Sequence, residues 1–190
     1  DLPQTNRSVE TAGMTMPKTP ETLLDLIAGG EPNHPAIIVP GGPVVTYEAL
    51  RSQVAELAAQ LEAAGISGGD RVAIVLPNGI EMIVSFLAVA SVATAAPLNP
   101  AYKADEFDFY LGDTGAKALI TSDSTGEDAR AVVSDSVLQF SAQLSPEGRV
   151  ILDPGTEAAT KTPSTPPSPD AVALVLHTSG TTSRPKRVPL

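Results

Sequence analysis

Cysteine and tryptophan are absent from this 190-residue chain, and histidine occurs only at His34 and His177. Without thiols there is no disulfide and no thiolate metal centre, and two imidazoles cannot build a site that needs three. Positive charge is scarce too. Twelve Lys+Arg stand against twenty-two Asp+Glu, a formal charge of −10, so the surface as a whole repels nucleic-acid backbones and anionic membranes. Nucleic acid is not an expected partner. The first residues, which include Pro3, Asn6, Arg7 and Glu10, do not read as a secretory signal, and a reducing cytoplasm is the expected compartment. Long hydrophobic runs are also missing. The longest uncharged stretch, residues 82–102, is interrupted at its end by Pro97 and Pro100 and diluted by Ser85, Ser91 and Thr94. It reads as a buried helix running into a buried strand rather than a transmembrane segment.

What is present is a 42% apolar chain, enough for one domain or part of a larger one with a real core. Residues 1–18 mix Pro, Thr, Ser and Gly without hydrophobic period and read as a flexible tail. From Thr19 the pattern is regular, and residues 19–190 are expected to form part of one α/β domain, a layered sheet with flanking helices. Thr19 is the expected cap of a first helix, with Pro20 at its first position and Gly29 and Gly30 as its stop. Residues 36–39 and 44–47, joined by Pro40, Gly41, Gly42 and Pro43, predict a hairpin. Thr46 is a cap for a long helix carrying Leu50, Val54, Leu57, Ala58 and Leu61, with Gly65 as its stop.

Residues 71–76 predict a buried strand, Asn78 the cap of a helix through Val92, and residues 95–98 a second strand. That strand, helix, strand order is the pattern of a parallel sheet. It repeats through a helix over about 103–111, a strand at 117–122, a helix over about 125–133 and a strand at 137–140. Residues 153–170 hold five prolines and hardly an apolar residue, which predicts a surface loop. Residues 171–176 then predict a strongly apolar strand.

That strand runs into the segment with chemical content. Thr178, Ser179, Thr181 and Thr182 surround Gly180, Ser183 lies just beyond, and Arg184, Lys186 and Arg187 follow. Hydroxyl donors, exposed N–H groups, a glycine that admits close approach and clustered cations are what a polyphosphate requires. At an effective dielectric near 20, a cation about 4 Å from a phosphate charge gains on the order of 4 kcal/mol before desolvation. The common P-loop would need a second glycine where Pro185 stands. Proline also prevents Arg184 from leading directly into a helix, so the loop is expected to link two strands. By composition alone, a Ser/Thr-rich surface turn fits equally well.

The segment "TSGTTSRPKRV" is similar to the signature loop of the adenylate-forming superfamily, and residues 46–120 resemble the first half of a fatty-acid or oxalate-type CoA ligase in that family. The resemblance implies an ATP-dependent acyl-CoA synthetase. Such an enzyme activates a carboxylic acid as an acyl-adenylate, releases pyrophosphate and transfers the acyl group to CoA, with Mg²⁺ accompanying ATP. It implies that Thr178, Ser179, Gly180, Thr181, Thr182 and Ser183 hold the ATP phosphates and that Lys186 follows them. It implies no catalytic residue in these 190 residues, which are expected to be inactive alone because the adenine, ribose and C-terminal lysine motifs lie downstream. A fatty-acyl-AMP ligase serving a carrier protein and a non-catalytic structural fragment are the alternatives. Arg187 departs from the pattern, which has glycine there in most members. A side chain there is expected to hinder loop movement, at roughly 1 to 3 kcal/mol. His177 reads as packing at a strand end, and Asp105, Glu106, Asp108 and Asp113 read as solvated charge.

Overall fold

The computed structural model describes residues 19–154, 167–178 and 185–190. The expected tail at 1–18 lies outside the described residues, as does most of the proline-rich stretch. Five strands form the central sheet in the order β4-β3-β5-β6-β7. They are β3 (Arg71–Ile74), β4 (Thr94–Pro97), β5 (Ala118–Thr121), β6 (Leu138–Leu144) and β7 (Val150–Pro154). β3 pairs in parallel with both β4 and β5, and β5 with β6. The alternating strand and helix pattern thus gives the expected parallel sheet.

Consecutive residues of a strand face opposite ways, and in β3 both faces are buried. Val72 and Ile74 join the core formed with α2 (Tyr47–Ala63) and α3 (Ile80–Ala90). Ala73, followed by Val75, joins the other core with Phe107 and Leu111 of α4 (Ala104–Thr114) and Ala129 of α5 (Glu127–Val132). Helices on both faces explain why the strands read as continuous apolar runs. The uncharged stretch at 82–102 is part of α3 followed by β4, and no helix among the described residues is long and apolar enough to cross a membrane.

Local capping follows the sequence in one helix and departs from it in two. Thr46 Oγ1 accepts the Ala49 N–H of α2 at 3.2 Å, and Gly65, at φ 90°, follows the Ala64 C-cap. The first helix, α1 (Leu23–Ala28), is capped by Thr22 and not by Thr19, because the Asp25 carboxylate returns to the Thr22 N–H while Thr22 Oγ1 receives the Asp25 N–H. That reciprocal pair satisfies two backbone donors where a lone threonine satisfies one. α3 begins after Gly79 without a side-chain cap, so Asn78 does not have its expected role.

The hairpin β1 (Pro35–Ile38) with β2 (Val44–Thr46) forms as expected, with Gly41 at φ 70° in its turn. A second one is a departure. β6 continues to Leu144 and pairs antiparallel with β7, so Asp153 and Pro154 belong to the sheet rather than to the surface loop. Ser145 accepts the Gly148 N–H and donates to Arg149 across that turn, and Gly148 takes φ 82°.

Candidate phosphate-binding hairpin

β8 (Val175–Thr178) and β9 (Lys186–Pro189) form a separate antiparallel pair. Their register places Val175 opposite Pro189, Leu176 opposite Val188, His177 opposite Arg187 and Thr178 opposite Lys186. The Ser/Thr/Gly segment therefore connects two strands, as Pro185 requires. The expected strand at 171–176 forms only from Val175, and it is not buried throughout, since Leu176 is exposed while Val175 is buried. Thr178 and Lys186 stand at the loop's two roots. Ser179, Gly180, Thr181, Thr182 and Ser183, the other residues expected to hold phosphate, lie outside the described residues.

The hairpin is fastened to the domain on two sides. On one side the chain entering β8 lies along β4: the Ala95 N–H donates to Ala173 O at 2.9 Å, and Thr94 Oγ1 donates to Val172 O at 2.7 Å. On the other side it meets the C-terminal turn of α4. His177 Nε2 lies 3.0 Å from Asp113 Oδ2, and the Arg187 guanidinium donates to Asp113 O at 2.6 Å. The His177 side chain is 4% exposed and its ring meets that of Tyr110 edge-on at 4.8 Å. Tyr110 in turn stacks on Tyr102 at 4.8 Å. Burial, reinforced by the hydrogen bond to Tyr110, pushes the Tyr102 hydroxyl up to about 12, so Tyr102 is uncharged at physiological pH.

Three expectations change here. Asp113 is not idle solvated charge, because it contacts both strands of the hairpin. Arg187 does not strain the backbone: it lies in extended β9, and no non-glycine residue among the described residues has positive φ. Its guanidinium turns toward α4. His177 is packed, as expected, but it also has a polar partner.

A signal for Asp113 was available in the sequence. A carboxylate in the last turn of a helix sits against the negative end of the helix dipole, so it calls for cations or donors nearby. Arg187 on Asp113 O and Arg71 on Thr114 O, the latter at 3.0 Å, meet that demand and satisfy carbonyls that the helix end leaves free. Lys186 is different. Its carbonyl accepts the Thr178 hydroxyl at 3.4 Å, but its side chain is exposed and the ammonium has no hydrogen bond or ion pair among the described residues.

Residues 24–190 match the AMP-binding enzyme family, and the chain belongs to it. It is 43% identical over 179 residues to the probable CoA ligase CCL9 of Humulus lupulus, an overlap of 88% of this chain and 33% of that protein. It is 40% identical over 177 residues to the oxalate–CoA ligase of Arabidopsis thaliana, covering 88% and 34%. Among solved structures, ATP-bound MatB from Rhodopseudomonas palustris matches with a TM-score of 0.69 at 27% identity, over 90% of this chain and 34% of that one. The chain spans about a third of the length of the curated relatives it matches. Its fold is that of the N-terminal part of the adenylate-forming enzymes.

Proposed function

We propose that this chain is the phosphate-binding part of an ATP-dependent acid–thiol ligase that forms an acyl-adenylate and passes the acyl group to CoA. The observation that carries the proposal is the hairpin: the signature segment leaves β8 at Thr178 and returns at Lys186, with both strands held to the domain and the Lys186 ammonium without a partner among the described residues. When a carboxylate attacks the α-phosphate, two anions meet and negative charge builds on the departing pyrophosphate. Hydroxyls and N–H groups of Thr178, Ser179, Gly180, Thr181, Thr182 and Ser183, with Lys186, would stabilise that charge. Mg²⁺ would arrive on the ATP phosphates, where it ordinarily keeps waters and takes few protein ligands. It would supply further charge neutralisation.

The substrate is a carboxylic acid. The relatives' names include oxalate and probable CoA ligases, so the fatty acid suggested by the overall resemblance has no separate support, and the carboxylate alone is common to all. A cytoplasmic setting fits a chain without cysteine.

Carboxylate-dependent ATP–pyrophosphate exchange tests the proposal. The 190 residues alone should give no exchange, and the complete ligase should give exchange with one acid of a panel of short dicarboxylic, aromatic and fatty acids, followed by CoA thioester formation. Exchange without thioester would instead indicate an adenylate-only ligase serving a carrier. No exchange with any acid would leave a structural role.

A further inference from the structure

His177 and Arg187 face each other across the hairpin, and directly opposed residues of an antiparallel pair project their side chains to the same side. Both side chains reach one residue of α4. His177 meets the Asp113 carboxylate, and Arg187 meets the Asp113 carbonyl. Their sequence neighbours are Thr178 and Lys186, the described ends of the phosphate segment. A rotation of the hairpin away from α4 would break both bonds together.

We propose that Asp113 is a positioning residue for ATP: by holding His177 and Arg187 at once, it fixes where Thr178 and Lys186 stand relative to the domain. The proposal rests on the ATP-binding role given above. An ionised carboxylate only accepts hydrogen bonds, so Nε2 of His177 carries the proton it gives to Asp113. Nδ1 is buried and has no partner among the described residues. The ring is therefore oriented by Asp113 at one nitrogen and by its contact with the Tyr110 ring, with no hydrogen-bond partner at the other nitrogen among the described residues. Direct ATP contact by His177 is not required, since its Nε2 already bonds Asp113 within the protein.

This chemistry gives a selective test in the complete ligase. Glutamine can place an amide N–H where Nε2–H stands, and it loses no hydrogen bond at Nδ1, which has no partner among the described residues. His177→Gln should keep near-normal kinetics, whereas His177→Phe fills the same space without the donor. His177→Phe and Asp113→Ala should each lower kcat/KM for ATP about tenfold, the range for losing a charged hydrogen bond, mainly by raising KM for ATP while KM for the acid stays unchanged. The double variant should lose no more than the larger single loss, because both changes remove one interaction. Asp113→Asn, which keeps the size and an acceptor oxygen, should lie between wild type and Asp113→Ala and serves if the alanine variant does not fold.

Additive losses in the double variant, or a lower melting temperature with unchanged KM for ATP, would overturn the positioning role. So would a His177→Gln variant as impaired as His177→Phe. Those failures differ from failure of the proposed activity itself, which would show as no pyrophosphate exchange by the unmodified ligase with any acid.

Discussion

Gln53 and Val150, 97 residues apart, are joined by a buried hydrogen bond: Gln53 Oε1 accepts the Val150 N–H at 2.7 Å, while Gln53 Nε2 donates to Gly148 O at 3.2 Å. One amide thus pins α2 to the start of β7, using its acceptor and its donor on backbone groups of the same turn. Gln53→Leu keeps the volume but leaves both backbone groups without a partner. It should cost about 1 to 3 kcal/mol in urea unfolding, the penalty for an unsatisfied buried polar group. Gln53→Glu should be at least as damaging, because a carboxylate would face Gly148 O with no donor.

Asp70 supplies a pH-dependent part of the stability. Its carboxylate accepts from Lys117 Nζ at 2.7 Å and from the Ser67 N–H at 2.8 Å. Burial acts to raise its pKa, but the Lys117 ammonium and the Ser67 donors together outweigh it and hold the carboxyl below its ordinary value of 3.8. A carboxyl with a lowered pKa in the folded state stabilises above its unfolded value and loses that contribution as pH falls through the folded value. The stability gap between wild type and Asp70→Asn should therefore be full at pH 6 and shrink below pH 3.8, as read from urea midpoints. A gap that widened on acidification would show that Asp70 does not act through its charge.

Two glycines at positive φ should respond differently to alanine. At Gly126, φ 85°, a Cβ would lie 2.5 Å from Thr121 Cγ2 and 2.9 Å from Thr121 Cβ, in addition to the backbone cost. At Gly41, φ 70°, a Cβ would meet nothing within 4 Å. Gly41→Ala should cost about 1 kcal/mol from backbone strain alone and Gly126→Ala about 2 to 4 kcal/mol, since overpacking adds to it. Equal losses in thermal or urea denaturation would contradict the packing around Gly126.

Lys186→Ala in the complete ligase removes a charge that has no partner among the described residues. Melting temperature should be unchanged, and kcat/KM for ATP should fall by an amount equivalent to roughly 1 to 3 kcal/mol in transition-state binding. A large drop in melting temperature with unaltered ATP kinetics would make Lys186 a structural residue.

Arg187→Gly reverses the expectation drawn from the sequence. Because Arg187 lies in an extended strand and bonds Asp113 O, removing it should loosen the hairpin root, raise KM for ATP several-fold and slow adenylate formation. A faster single turnover at saturating ATP would restore the steric explanation.

Much of the local structure was written within a few residues. Thr46 followed by Leu50, Val54, Leu57 and Leu61 specifies a capped amphipathic helix because cap, first turn and apolar face all lie at short spacing. The 40–43 turn and the apolar strands were legible for the same reason. Thr19 and Asn78 misled because several residues near a helix start can cap it, and the choice fell to Thr22, which Asp25 reinforces, and to a bare Gly79. β7 escaped because its short, mixed sequence gains strand character only by pairing with β6. The signature segment showed its chemistry in its residue types, yet nothing local indicated how its roots are held. Asp113 lies 64 residues from His177 and 74 from Arg187. That relation arises only when the hairpin packs between β4 and the end of α4, because hydrogen bonding is set by distance in space and not by distance along the chain.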